Sequence, residues 1–359
     1  MDKDDLEKRA GEILGALLEV ESPTGKEGSL LQVLQRELPE RGFSLRLQPV
    51  PEAPGNLIAQ RGKGRVLLAT HLDTVPAWGH PHAHLPQKVE GEIWGRGAID
   101  AKGQIAALIL ASELSQAPVS VALFCDEEGE GRGSKAFSPP EGVREALVLE
   151  PTGMRIGVAQ AGSVEVSIRI RGVSAHGAMA SSGRNAIEVF FRAWEEASRL
   201  PFLIRGHPLF PPLCPNLGKI TGGIDPQVVP EECEALADFP VPPGRDPQKV
   251  FDALREVFEK YGGSVRLRDL EPPWEMDQRD EGLLRKLQEA FRRVTGQEAK
   301  TWGMPAWTDA ASLRQKGIPT LVFGLGDLAL AHTPRERVRL AEVVQLALVL
   351  AELMEMEAD

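Results

Sequence analysis

The first apolar positions of the chain fall at helical spacing. Leu6, Ala10, Ile13, Leu14 and Leu17 share one face of a 3.6-residue period and predict an amphipathic helix. Ser22-Pro23-Thr24-Gly25 interrupts it. Thr24 and Glu27 then have the spacing of a capping box, opening a second helix that carries Leu30, Leu31, Leu34 and Leu38. Beyond Gly42 the pattern becomes one of short apolar runs: Phe43–Leu47, Leu57–Ala59, Val66–Thr70, Val119–Cys125 and Ala146–Leu149. A helix over Lys102–Leu114 separates two of them. Buried strands alternating with helices predict an α/β domain with a mostly parallel sheet covered on both faces.

Near residue 163 the period changes to two. Val164, Val166, Ile168 and Ile170 alternate with polar residues, the mark of a sheet with one wet face. A helix over 185–199, strands near Leu217–Thr221 and Cys233–Phe239, a helix over Pro247–Tyr261 and a strand at Ser264–Arg268 follow. This β-α-β-β-α-β order predicts an α+β domain of ferredoxin-like type over 163–270, inserted into an α/β domain made of 1–162 and 271–359. The α/β style resumes with a helix over Gly282–Val294, a strand at Pro319–Phe323 and a last helix from Arg337 to Met354.

A chain of 359 residues suits two domains. Its 41 basic and 52 acidic residues give a net charge of -11, which argues against a nucleic-acid surface needing a basic patch. Cys125, Cys214 and Cys233 are too few and too scattered for a disulfide framework or a CxxC zinc site. The charged start MDKDDLEKRA has no signal-peptide core, and no apolar run reaches membrane-spanning length. A cytoplasmic location is the simplest expectation.

The candidate chemistry lies at strand ends. His71 follows Val66–Thr70, with Asp73 two residues later; Asp126-Glu127-Glu128 follow Val119–Cys125; Glu150 follows Ala146–Leu149; His332 lies in the loop after Pro319–Phe323. Asp100 opens the helix at Lys102. In open α/β sheets the carboxyl edge of the strands is where ligands bind. Two histidines and several carboxylates converging there suit a pair of borderline-soft ions, with one carboxylate able to bridge them. Each acidic residue alone also reads as a helix cap or a solvated turn residue, and Asp100 as an N-cap. His71 is less easily dismissed, because it interrupts an apolar strand.

His71-Leu72-Asp73-Thr74-Val75-Pro76, Gly95-Arg96-Gly97-Ala98-Ile99-Asp100, Asp126-Glu127-Glu128-Gly129, Glu150-Pro151-Thr152 and Ala331-His332-Thr333-Pro334-Arg335-Glu336 together resemble the ordered signatures of the M20 metallopeptidase family. That family includes acetylornithine deacetylase, succinyl-diaminopimelate desuccinylase, carboxypeptidases and dipeptidases. The resemblance implies two zinc ions per subunit, with cobalt a possible substitute. One ion would be held by His71 and Glu150, the other by Glu128 and His332, and Asp100 would bridge them. It implies that Asp73 accepts the second ring N–H of His71 and that Glu127 is the general base toward metal-held water. His176, in Gly172-Val173-Ser174-Ala175-His176-Gly177, reads by itself as a satisfied turn histidine. The resemblance instead implies that it reaches a partner subunit's site to stabilise an oxyanion, so that the inserted domain serves dimerisation. Arg184 is then a candidate for the substrate carboxylate.

The resemblance also implies a homodimeric hydrolase of linear amides. Acetylornithine is the first substrate expected and an acyl-lysine or a carrier-protein-linked lysine the next, with a dipeptide or C-terminal peptide bond the alternative. A non-catalytic metal-binding scaffold is the rival from another class, and the retention of Glu127 speaks against it. Pro240 stands where the family commonly has an arginine, Gln227 where asparagine is usual and Thr308 where serine is typical, which bears on substrate identity. Trp302 and Trp307 suggest an apolar substrate wall. His80, His82 and His84 read as a surface loop.

Overall fold

The computed structural model describes residues 2–201 and 206–358. They form two compact units: 1–158 with 276–302 and 308–359, and 159–275 with 303–307.

The first unit is an α/β layer. Its sheet places side by side the strands Ser44–Val50, Ala53–Arg61, Val119–Phe124, Val66–His71, Glu145–Val148, Thr320–Val322 and, through Gly157, Ile156–Gln160, whose last two residues belong to the second unit. The four from Val119–Phe124 to Thr320–Val322 are parallel; the flanking pairs are antiparallel. Val66–His71 and Val119–Phe124 are buried at every position, which explains their uninterrupted apolar sequence. Ala69 stands opposite both Ala122 and Val148, so neighbouring strands end at a common level. Asp2 caps the first helix, Lys3–Leu18, by accepting from the Asp5 N–H. That helix packs on Lys102–Leu114 and on Leu340–Ala358. Lys102–Ser112 is buried all round, as expected of a helix with no polar face. Gly103 permits its close start: a Cβ there would fall 2.1 Å from the Ala98 carbonyl oxygen, directly under the loop that ends in Asp100.

The second unit holds a four-stranded antiparallel sheet ordered Asn216–Gly222, Glu232–Val241, Gly162–Arg171, Gly263–Glu271. Its elements run β-α-β-β-α-β in chain order, a ferredoxin-like topology. Val164, Val166, Ile168 and Ile170 form one core with Phe190, Leu254 and Phe258 of the helices Ala186–Ser198 and Pro247–Lys260. Asn185 and Asp246 cap those helices. The edge strand Asn216–Gly222 is exposed along nearly its whole length.

Several sequence expectations differ from the structure. Thr24 and Glu27 form no capping box; the helix Gly28–Glu37 has no side-chain cap, and both residues turn to the acidic loop described below. The last helix starts at Leu340, because Arg337–Arg339 is drawn into a small sheet with Gln87–Val89 and Glu92–Trp94. The second unit extends past 163 and 270 because Ala159 and Gln160 pair with Glu275 and Trp274, and the Ala161 N–H reaches the Met304 carbonyl. Among the described residues no helix is long and apolar enough to cross a membrane.

Asn56 ties the sheet to the acidic loop. Its buried amide donates to Gly133 O at 2.8 Å and to Gln48 Oε1 at 3.2 Å, and accepts from the Cys125 N–H at 3.2 Å. Asn56→Ala leaves these buried groups unpaired and is expected to cost about 3 kcal/mol in urea unfolding. A loss below about 1 kcal/mol would show that the tie contributes little.

Candidate active site

His71 is the last residue of its strand and fully buried. Its Nδ1–H donates to the Asp73 carbonyl at 3.0 Å, which aims Nε2 at Asp100 Oδ1, 3.0 Å away, and at Glu150 Oε1, 4.0 Å away. The other Asp100 oxygen, Oδ2, lies 3.2 Å from His332 Nε2, and that nitrogen is 2.8 Å from Glu128 Oε1. One carboxylate therefore faces two histidines, each with a further glutamate. Glu127 joins His71 and Glu128 in a group whose ligand atoms lie within 4.8 Å of one another. All these residues belong to the first unit.

The acidic loop is held by its backbone. The Asp73 carboxylate accepts the N–H groups of Glu127 and Glu128, both at 3.0 Å, and the Thr24 hydroxyl at 2.9 Å. Glu27 Oε1 accepts the Asp126 N–H at 3.0 Å. Asp126, at a left-handed φ of 63°, turns away from the cluster and binds Arg132. The Asp73 carbonyl is nearer to the His71 ring N–H than the side chain expected there. The carbonyl of Asp73 takes that bond, and its carboxylate, 3.6 Å from Nδ1, organises the loop. Asp100 is not an N-cap either, since the helix begins from Ala101 without a side-chain cap.

Crowded carboxylates set the electrostatics. Burial, followed by neighbouring acids, pushes Glu127 and Glu150 well above the usual carboxylate range against the pull of His71. Burial lifts Asp309 to about 7. Burial lowers His332, but Asp100 and Glu128 more than offset this and hold its proton to about 10. Asp100 is held below the usual range because the two histidines outweigh its burial. Glu150 Oε1 is buried without a hydrogen-bond partner. A donor set of imidazole and carboxylate, an orphaned oxygen and an excess of buried negative charge fit cations. Ion uptake must expel the histidine protons, so affinity rises with pH up to about 10 at His332.

His176 and Arg184 belong to the second unit and are not part of this cluster. Both are exposed. His176 Nδ1 accepts the Ala178 N–H at 3.1 Å, and the Arg184 guanidinium donates to the Tyr261 carbonyl. Trp302 is buried with the Arg155 guanidinium over its ring at 3.9 Å, so its indole serves packing. His80, expected in a surface loop, is buried and bonds the Glu336 carbonyl. Residues expected only as a helix cap, Thr24 and Glu27, or given no role, Asn56 and Trp78, also frame the site, and the exposed Trp78 ring stands edge-on to His332 at 6.2 Å. Their contacts are tertiary, and only the short polar interruptions in apolar runs hint at them.

Removing the shared carboxylate charge tests the cluster. Zinc added to the chelated protein is expected to raise Tm by roughly 5 °C, and Asp100→Asn to abolish that rise. A rise undiminished in the variant would remove Asp100 from the metal set.

The Peptidase family M20/M25/M40 model matches residues 67–356. The chain is 30% identical over 344 residues to a Pyrococcus furiosus protein named as a LysW-lysine/LysW-ornithine hydrolase, covering 93% of each. It is 30% identical over 352 residues to the acetylornithine deacetylase of Proteus mirabilis, covering 91% of this chain and 89% of the relative. Its fold is similar to that of an M20 family metallo-carboxypeptidase from Sulfolobus solfataricus, with a TM-score of 0.79, 16% identity and full coverage of both chains. With the five sequence signatures and the strand-edge cluster, these matches show that the chain belongs to the M20 family of metal-dependent hydrolases.

Proposed function

We propose that this chain is a two-zinc amidohydrolase that cleaves the amide bond of an N-acyl amino acid of acetylornithine or acyl-lysine type. The observation that carries this reading is Asp100, whose two oxygens each face a different histidine. His71 and Glu150 would hold one ion and Glu128 and His332 the other, with Asp100 between them. The ions, when bound, acidify water and polarise the scissile carbonyl. Glu127 is the proton carrier. It takes a proton from the attacking water and returns it to the leaving nitrogen as the C–N bond breaks, giving a carboxylic acid and an amine. Burial, with Glu150 and Glu128 nearby, raises its proton affinity against the pull of His71.

His176 supplies the oxyanion donor, from the second subunit of a homodimer. Because Nδ1 accepts from Ala178, the neutral ring carries its proton on Nε2, free to donate. The open edge strand Asn216–Gly222 supports a second copy as its cover. Arg184 is assigned the substrate carboxylate. The names of the two curated relatives favour an acyl-amino-acid substrate. The solved carboxypeptidase with the same fold keeps a peptide substrate as the second reading.

A panel of N-acetyl, N-succinyl and N-formyl amino acids beside dipeptides, run with and without chelator, distinguishes these readings. Chelator-sensitive release of ornithine or lysine from the acyl compounds is expected. Turnover of dipeptides alone favours the peptidase. Glu127→Gln is expected to keep both ions and lose activity by about 10²–10⁴-fold; full activity in that variant removes the proposed base. Inactive His176→Ala and Glu127→Ala subunits, mixed and allowed to exchange, are expected to regain activity. One site of the mixed dimer then has both intact groups. No recovery means that His176 does not act across the dimer.

A further inference from the structure

Arg96 and Glu336 form an ion pair that meets almost no solvent, at 1% and 0% exposure. One guanidinium nitrogen donates to Glu336 Oε2. The other two, Nε and Nη2, reach the carbonyls of Pro76 and Ala77, each at 3.2 Å. Glu336 Oε1 accepts three backbone N–H groups: Gly97 at 3.0 Å, Ile99 at 3.1 Å and Asp100 at 3.3 Å. Gly97, at φ 91°, allows the chain to curl so that these amides converge on one oxygen. The Glu336 carbonyl in turn accepts the Nε2–H of His80 at 2.9 Å.

The pair therefore joins three segments: the loop of Pro76–His80, the loop that ends in Asp100, and the turn four residues beyond His332. Stability alone does not account for it, because apolar side chains of similar volume serve a protein interior as well as or better than a buried ion pair. What the pair satisfies is the backbone of the loop at Pro76–Ala77 and of the loop that ends in Asp100. Glu336 has both oxygens committed and is not itself a ligand.

We propose that Glu336, clamped by Arg96, is a positioning residue for the two-metal centre. It fixes the spacing between Asp100 and His332, and so sets the affinity of the ion held by Glu128 and His332. His71 and Glu150 follow central strands, so of the first ion's ligands only the shared Asp100 is held by the clamp.

The proposal rests on the two-metal reading above, and cobalt titration separates the two. Co(II) is added to the metal-free protein and followed by its visible absorption and by the magnetic coupling between ions. Fewer than two ions in the wild type would sink the two-metal reading itself. In Glu336→Gln, the ion at His71 and Glu150 is expected to stay within about threefold of wild type. The second is expected to weaken by about 10–100-fold, with loss of coupling. A lower Tm with both affinities and the spectrum unchanged would show a merely structural pair and overturn the proposal. Arg96→Lys, which keeps the charge but loses the fork onto Pro76 and Ala77, is read in the same way if the first variant does not fold. Hydrogen exchange of the metal-free wild type judges the clamp without metal or mutation. The amides of Gly97, Ile99 and Asp100 are expected to be protected, and exchange at the rate of an open loop would falsify it.

Discussion

Like charges brought together away from water raise one another's energy, and the first unit is arranged around that cost. Asp100, Glu127, Glu128 and Glu150 crowd against two histidines at the ends of central strands. Protons relieve part of the repulsion, as the elevated affinities of Glu127, Glu150 and His332 record. Doubly charged ions relieve it more completely, because each opposes several carboxylates at short range. A site of this kind needs walls that do not yield. They are supplied by strands buried at every position and by backbone amides tied to Asp73, Glu27 and Glu336.

The division of labour among the acidic side chains follows from this. Those that face the cluster keep oxygens available. Those that hold the loops, Asp73, Asp126 and Glu336, spend theirs on N–H groups and guanidinium. Residue type alone does not distinguish the two sets. Asp73 and Asp100 each follow an apolar run, yet only Asp100 has both oxygens turned to histidine.

The parts legible in the sequence were those written at short range. Uninterrupted apolar runs gave the central strands, strict alternation gave Gly162–Arg171, and the position of His71 and Glu150 beyond strand ends pointed to the ligand edge. Tertiary contacts hid the rest. Thr24 and Glu27 have the spacing of a cap but bond to partners about 50 and 100 residues away, Asp73 and Asp126. Arg337–Arg339 reads as the start of a helix until Glu92–Trp94 pairs with it. Strands of three residues are too short to show a period. The pairing of Ala159–Gln160 with Trp274–Glu275, which sets the limits of the second unit, joins segments that no local pattern relates.

The first unit is assembled from chain on both sides of the second. Glu150 precedes that excursion and His332 follows it. During synthesis the ribosome therefore releases His71, Asp100, Glu127, Glu128 and Glu150 long before the histidine that opposes them. The strand Thr320–Val322, which borders Glu145–Val148, also emerges late. A nascent or prematurely terminated chain carries the acids without their second imidazole and without the clamp at Glu336. The cluster is thus withheld until the chain beyond the second unit has been made, and fragments that end before His332 cannot assemble it.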